Sequence, residues 1–186
     1  MRIVAGKWRS RLLEIATAPG LRPTSERVRE TLFNWLAPSI QGARCLDLFA
    51  GTGALGLEAL SRGAAETVFV EKSAVAVKTL RDNVATLNAS TAVVRNTDAF
   101  RFLSGTPPGK FDIVFLDPPF GADILGDLCR VLSEASILKA KAQIYIEEQR
   151  DSPAVELPAD WEVVKSKLAG NVRYSLLRVG DQEQGG

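Results

Sequence analysis

The chain has 186 residues, of which 46% are hydrophobic and 24% charged, a composition typical of one soluble globular domain with a full core. It contains no histidine, which excludes histidine triads, imidazole bases and histidine-bound metals. The spacing of Cys45 and Cys129 matches no metal-binding or redox motif, so we expect no metal site. No apolar run is long enough to span a membrane and the first residues lack a secretory signal, so we expect a cytoplasmic protein.

Positive charge is concentrated near the amino terminus. Residues 1–44 contain eight basic and three acidic residues, a net charge of +5, whereas the other 142 residues carry −4. Such asymmetry favours electrostatic attachment to nucleic acid, although a single arginine on a solvated face is common. Trp8 is expected to stack on a base or to pack beneath the segment. The residues expected to contact RNA are Lys7, Trp8, Arg9, Arg11, Arg22, Thr24, Arg27, Arg29 and, from a later hairpin, Arg173.

Strands and helices alternate along the chain. Residues 2–15 predict a short hairpin or an extended arm, ended by Pro19, Gly20 and Pro23. Thr24 or Ser25 is expected to cap a helix that runs to about Leu36. Strands are predicted at 43–48, 67–71, 92–95, 111–116 and 142–147, helices at 54–62, 74–87 and 124–135 with a short one after residue 98, and a terminal hairpin at 161–168 and 172–179. This order predicts an α/β fold with a mainly parallel sheet and an antiparallel edge.

A glycine-rich turn follows the first predicted strand of the core. Gly51, Gly53 and Gly56 fit the spacing G-x-G-x-x-G, and Glu71 lies 20 residues after Gly51. Glycines at this point let the backbone approach a ligand, and the following helix offers free N–H groups. The spacing is that of a dinucleotide fingerprint, so NAD is one possible ligand. However, Asp47 would crowd a pyrophosphate and suits an amino-bearing ligand, such as the methionyl part of S-adenosylmethionine.

The residues Asp117-Pro118-Pro119-Phe120 follow the predicted strand 111–116. Each proline fixes φ and lacks an N–H, and Pro118 pushes Asp117 out of the helical region, so the chain forms a stiff extended kink. The Asp117 carboxylate and the Pro118 carbonyl are then two fixed acceptors, with the ring of Phe120 beside them. Two fixed acceptors beside an aromatic ring suit a planar exocyclic amine. Taken alone, however, the motif is equally well explained as a simple turn after a strand.

Four acids end or follow successive predicted strands, namely Asp47, Glu71, Asp98 and Asp117. Each acid alone is readily explained as a cap or turn residue. Ligands of doubly wound sheets bind at the carboxyl ends of the strands, so four such acids predict one shared crevice.

Several segments resemble known proteins. DLFAGTG resembles the cofactor loop of class I S-adenosylmethionine-dependent methyltransferases, and DPPF resembles the motif of their amino-group branch. The run PGLRPTSERVRETLFNWL, with RIVAGKWRSRLL and AGNVRYSLL, resembles the RsmD family of bacterial 16S ribosomal RNA guanine-N2 methyltransferases. The resemblance covers nearly the whole chain, from Arg2 to about Val179.

The resemblance implies a Rossmann-like class I methyltransferase with a seven-stranded sheet that transfers methyl from S-adenosylmethionine to a guanine N2 amine of 16S rRNA, leaving S-adenosylhomocysteine. It implies a single domain, with a basic RNA-binding extension and the first helix at 1–40, a catalytic core at 41–180 and a frayed tail at 181–186. It also implies a monomer whose partner is 16S rRNA within the small ribosomal subunit or an assembly intermediate. The implied catalytic residues are Asp117, Pro118, Pro119 and Phe120. The implied cofactor-binding residues are Asp47, Phe49, Gly51, Thr52, Gly53, Glu71, Lys72, Asp98 and Ala99.

Other functions remain open from the sequence. They are methylation of adenine, cytosine or a protein glutamine, a non-catalytic RNA-binding assembly factor with a methyltransferase fold, and an NAD-dependent enzyme. The amino methyltransferases that act on those other substrates usually carry Pro-Pro-Tyr in place of Pro-Pro-Phe, often with extra recognition segments that this sequence lacks.

Overall fold

The computed structural model describes residues 1–16, 24–105, 109–119 and 124–181. Pro19, Gly20, Pro23 and the tail beyond Asp181 lie outside these residues. Five helices and seven strands occur within the described ranges. In chain order they are α1 Glu26–Leu36, β1 Arg44–Asp47, α2 Ala54–Ser61, β2 Glu66–Glu71, α3 Ala74–Thr86, β3 Ala92–Asn96, α4 Ala99–Ser104, β4 Phe111–Leu116, α5 Leu125–Glu134, β5 Leu138–Gln149, β6 Trp161–Ala169 and β7 Val172–Val179.

The strands form one sheet in the order β3-β2-β1-β4-β5-β7-β6. Strands β1 to β5 are parallel, whereas β7 runs antiparallel between β5 and β6. The predicted α/β fold with its terminal antiparallel hairpin is therefore confirmed. The strand order reverses between β1 and β4, so a crevice opens beyond their carboxyl ends.

Helices cover both faces of the sheet. One core cluster packs α1, α2 and α3 against alternate strand residues such as Cys45 and Phe115, and a second packs α4 and α5 against their neighbours, such as Leu46 and Val114. Burial of both faces explains why the central strands read as almost continuous apolar runs. No helix within the described residues is long and apolar enough to cross a membrane.

Side-chain caps fix where three helices begin. The side chain of Ser25 accepts a hydrogen bond from the Val28 N–H and begins α1, so Ser25 rather than Thr24 is the cap. Ser73 begins α3 in the same way, and the Asp98 carboxylate accepts from two N–H groups at the start of α4. These caps satisfy N–H groups that otherwise lack a partner inside the helix.

Strand β5 begins four residues earlier than the pattern predicted. Leu138 pairs with Phe111 and Gln143 with Ile113, so the register shifts between these pairs. Lys141 lies within the shift at φ 61°, a left-handed conformation typical of a bulge. The bulge breaks the alternation of apolar and polar residues, which explains why the sequence missed the first part of the strand.

The first 16 residues pack onto the core. Arg2 and Leu12 form an isolated antiparallel bridge, and the Ile3 N–H donates to the Arg11 carbonyl at 3.0 Å. Of the two predicted conformations, the segment is therefore closer to the short hairpin. Ile3 and Leu13 are buried in the core, which fixes the segment to the rest of the protein.

Candidate functional site

Acidic side chains gather at the carboxyl ends of four neighbouring strands. Asp47 is the last residue of β1 and Glu71 is the last residue of β2. Asp117 directly follows β4, and Glu147 lies near the end of β5. Because these strands are parallel neighbours, the four carboxyl groups share one edge of the sheet.

The glycine-rich loop is tied to Glu71. One oxygen of this carboxylate accepts from the Gly51 N–H at 2.9 Å, and the other accepts from the Ser73 N–H at 2.7 Å. Gly51 and Gly53 both have positive φ, of 52° and 94°, which a side chain would disfavour. The loop therefore depends on its glycines for its shape and on Glu71 for its position.

Asp47 is a buried carboxyl group beneath the glycine loop. It is 2% exposed and accepts a hydrogen bond from the Gly56 N–H at 3.0 Å. Burial, opposed by the hydrogen bond from Gly56 and aided by the neighbouring charge of Glu71, raises the pKa of Asp47 to about 7. A cationic or amino group placed beside it would favour the charged form.

The other predicted cofactor residues surround this loop. Phe49 is half-buried, and Thr52 is buried with its carbonyl accepting from the Asn83 side chain at 3.0 Å. Lys72 and Asp98 are exposed where β2 and β3 end, and Ala99 begins α4. The structure thus places the predicted set along one edge, with one Asp98 oxygen engaged as a helix cap.

Asp117 is followed by two prolines that line an open cavity. The Thr24 hydroxyl donates to the Asp117 carboxylate at 3.2 Å, and burial together with Glu147 raises the pKa of Asp117 well above its usual range. Pro118 and Pro119 line a cavity of about 860 Å³ between α5 and residues 147–158. Phe120 lies outside the described residues.

Sequence reasoning missed Glu147 as a site residue. Glu147 is 7% exposed, lines the same cavity, and accepts from the Tyr145 hydroxyl at 2.6 Å. Burial raises the pKa of Glu147, while its contacts with Tyr145 and Thr24 lower it. The signal was present in the sequence, because Glu147 follows a buried apolar run as Asp117 does.

Four of the nine predicted RNA-contacting side chains are exposed on the surface. Lys7, Arg9, Arg11 and Arg27 are exposed, and Arg11 donates to the Thr86 carbonyl at 3.2 Å. Trp8 is half-buried against the core, and the Lys7 ammonium lies 4.2 Å from the centre of its ring. Trp8 therefore packs beneath the segment, while its cationic neighbours remain accessible.

Two residues assigned to the RNA surface are placed elsewhere. Arg29 is 1% exposed and forms an ion pair with Glu58 at 3.2 Å, so it has no route to a phosphate. Thr24 is 8% exposed and bonds to Asp117, which places it in the site rather than on the RNA face. Both residues are buried by contacts with distant parts of the chain, and the local sequence pattern does not indicate this burial.

The remaining two residues of the predicted RNA surface are Arg22 and Arg173. Arg22 lies outside the described residues. Arg173 is the second residue of β7 and lies opposite Glu148 of β5, at the site edge of the sheet, where it donates to the Arg150 carbonyl at 2.8 Å. Its side chain is 30% exposed, so part of it faces solvent. Within the part of the chain that the structure describes, no group of three or more potential ligand side chains is placed to hold a metal ion.

Comparisons with known proteins agree with this geometry. The model of the family described as "Conserved hypothetical protein 95" matches residues 1–178. Ribosomal RNA small subunit methyltransferase D of Escherichia coli strain K12 is 47% identical over 178 residues, which cover 95% of this chain and 88% of the relative. The solved structure of the Escherichia coli methyltransferase yhhF superposes with a TM-score of 0.91 at 42% identity, covering 98% of this chain and 99% of the other.

A more distant solved structure shares only the fold. An RNA methyltransferase from Salinibacter ruber, in complex with S-adenosyl-L-homocysteine, has a TM-score of 0.64 at 16% identity and covers 89% of this chain and 98% of its own. At this identity the likeness extends to the Rossmann-like architecture, which is common to both chains.

Proposed function

The chain belongs to the family of ribosomal RNA small subunit methyltransferase D, and we propose that it transfers a methyl group from S-adenosylmethionine to the exocyclic N2 amine of a guanine in 16S rRNA. The observation that carries the proposal is the carboxylate of Asp117, fixed by two prolines at the end of β4 beside the glycine loop. The proposal places the protein in the cytoplasm, with small-subunit RNA as its partner.

The residues present fit S-adenosylmethionine, which supplies an activated methyl group on its sulfonium when bound. Asp47 offers a buried carboxyl group to the amino end of the methionyl part, and the N–H groups that begin α2 lie next to it. Glu71 is proposed to accept from the ribose hydroxyls, and Asp98 from the adenine amine. Phe49, Thr52, Lys72 and Ala99 are proposed to complete the surroundings.

Asp117 is proposed to act on the amine of the base. A guanine N2 amine is a poor nucleophile because its lone pair is delocalised into the ring. The Asp117 carboxylate and the Pro118 carbonyl, each accepting from one N–H, would orient the amine and stabilise positive charge that develops on nitrogen. The released proton leaves to water or through Asp117. Pro119 holds the turn, and Phe120 is proposed to stack on the base.

The exposed cations of the amino-terminal segment are proposed to bind the RNA backbone. Lys7, Arg9, Arg11 and Arg27 are exposed, and Arg173 faces the same edge of the sheet as the site. Phosphate contacts of this kind position a nucleic acid without reading its sequence. Arg22 is retained in this proposed surface on its position in the sequence alone.

The test is transfer of tritium from labelled S-adenosylmethionine to small ribosomal subunits from cells that lack this protein. Nucleoside analysis of the RNA is expected to find the label in N2-methylguanosine. Label in methyladenosine, methylcytidine or protein would assign the enzyme to another amino substrate. Cofactor binding without any label transfer would instead support a non-catalytic assembly factor.

A further inference from the structure

We propose that Glu147 is a specificity-determining residue that accepts a hydrogen bond from the N1–H of guanine while Asp117 holds the adjacent N2 amine. The inference rests on the proposed function, and it identifies the group that distinguishes guanine from the other bases with an exocyclic amine. It assigns Glu147 a role in choosing the base rather than in the methyl transfer itself.

The two carboxyl groups are neighbours in the sheet. Leu116 of β4 pairs with Ile146 of β5, and Asp117 and Glu147 are the next residues of the two strands. Adjacent strands lie about 4.8 Å apart, so the two carboxyl groups start from neighbouring positions on one face. Thr24 links the two groups, because its hydroxyl donates to Asp117 at 3.2 Å and also lowers the pKa of Glu147.

Glu147 is held in place by one hydrogen bond and retains further acceptor positions. Its Oε1 accepts from the buried Tyr145 hydroxyl at 2.6 Å, which fixes the side chain. A carboxylate has about four acceptor positions, so one bond at Oε1 leaves others available. Glu147 also lines the cavity with Pro118 and Pro119, the residues that follow Asp117. Burial raises the pKa of both carboxyl groups, as expected of a site that is short of hydrogen-bond donors.

A guanine edge supplies donors in this arrangement. Its N1–H lies next to its N2 amine, so two neighbouring donors face two neighbouring acceptors. Adenine and cytosine instead carry an unprotonated ring nitrogen beside the amine. That lone pair would face the Glu147 carboxylate and leave it without a partner, which disfavours these bases.

The test uses 2-aminopurine, which keeps the amine at C2 but has an unprotonated N1. Once the labelling experiment has located the target guanine, ligated RNA carrying either base at that position is assembled into subunits. The quantity measured is the ratio of kcat/KM for guanine to that for 2-aminopurine. The wild-type enzyme is expected to favour guanine by roughly 10- to 100-fold, the effect of one charge-assisted hydrogen bond.

Glu147→Gln is expected to bring this ratio close to one and to lower kcat/KM for guanine. A glutamine amide can accept from the guanine N1–H or, after rotation, donate to N1 of 2-aminopurine, so it forms a neutral bond with either base. The matched control is Glu162→Gln, because Glu162 is an exposed residue of the edge strand β6 that pairs with Arg178 and is not among the residues that line the cavity. This variant is expected to keep the wild-type ratio.

A wild-type ratio in Glu147→Gln would overturn the inference while leaving guanine methylation established. Absence of N2-methylguanosine with the wild-type enzyme would overturn the proposed function instead. If Glu147→Gln folds but does not turn over, the ratio of RNA dissociation constants in the presence of S-adenosylhomocysteine replaces the rate ratio. If it fails to fold, Glu147→Asp, which keeps the charge but shortens the reach, is expected to lower the ratio, and an unchanged ratio rejects the role.

Discussion

Replacing Arg29 with methionine is expected to destabilise the fold, and not to weaken RNA binding selectively. The Arg29 guanidinium pairs with Glu58 at 3.2 Å. It also donates to the Arg2 carbonyl at 2.9 Å and to the Thr24 carbonyl at 3.3 Å. Methionine fills much of the same volume but donates no hydrogen bond, so these acceptors lose their partner in a buried environment.

The expected loss of stability in Arg29→Met depends on the hydrogen bonds that Glu58 keeps. Its carboxylate keeps the Arg62 guanidinium at 2.8 Å and the N–H groups of Val4 and Ala5 at 2.9 and 3.0 Å. Arg29→Met is therefore expected to lower the free energy of unfolding by about 2–4 kcal/mol. Glu58→Gln leaves the Arg29 charge buried without its counter-ion and is expected to lower it by about 3–5 kcal/mol.

Urea unfolding followed by circular dichroism measures these changes. The double variant Arg29→Met with Glu58→Gln is expected to lose less than the sum of the two single variants, because the buried Arg29 charge is no longer left without its counter-ion. The control is Lys78→Met, which removes an exposed ion pair with Asp82 and is expected to change stability by about 0.5 kcal/mol or less. A wild-type urea midpoint for Arg29→Met, combined with weaker RNA binding, would refute the buried role and return Arg29 to the RNA surface.

Four further predictions concern the site. Asp117→Ala is expected to abolish methyl transfer with cofactor binding largely kept, which isothermal titration and tritium transfer measure on one sample; wild-type turnover contradicts the mechanism. Glu71→Ala is expected to weaken cofactor binding by about 1.5–3 kcal/mol per lost charged hydrogen bond, and an unchanged dissociation constant removes Glu71 from the site. Arg9→Glu with Arg11→Glu is expected to weaken RNA binding and flatten its dependence on salt; normal binding moves the RNA surface elsewhere. The pKa of Asp47 is raised to about 7, so its contribution to stability is full at low pH and is lost as the pH rises through 7. Asp47→Asn is therefore expected to be more stable than the wild type above pH 7, by up to about 4 kcal/mol. Equal urea midpoints for the two proteins at pH 8 would contradict this prediction.

Local chemistry made much of the fold and part of the site predictable. Gly51 and Gly53 have the positive φ that the loop needs, and the kink at Pro118 follows from fixed φ angles. The boundaries of most helices follow from caps such as Ser73 and Asp98, which act within three residues of themselves. Features of this kind depend on neighbours in the sequence, so the sequence displays them.

Contacts between distant residues were not predictable in the same way. Arg29 lies in a basic run, but its partner Glu58 is 29 residues away on another helix. Thr24 meets Asp117 across 93 residues, and Glu147 becomes a neighbour of Asp117 only when β5 pairs with β4. In each case a polar residue that suits the surface is buried by a partner whose position depends on the whole topology.

These distant contacts also join the amino-terminal segment to the catalytic core. Glu58 of α2 holds the N–H groups of Val4 and Ala5. Asn83 of α3 exchanges hydrogen bonds with the backbone of Glu14 and donates to the carbonyl of Thr52 in the glycine loop. The cations proposed to bind RNA therefore stand on a segment that is anchored to the same two helices as the cofactor loop. Since a packed segment loses little conformational entropy when RNA binds, the anchoring favours presentation of the base to Asp117 in one fixed orientation.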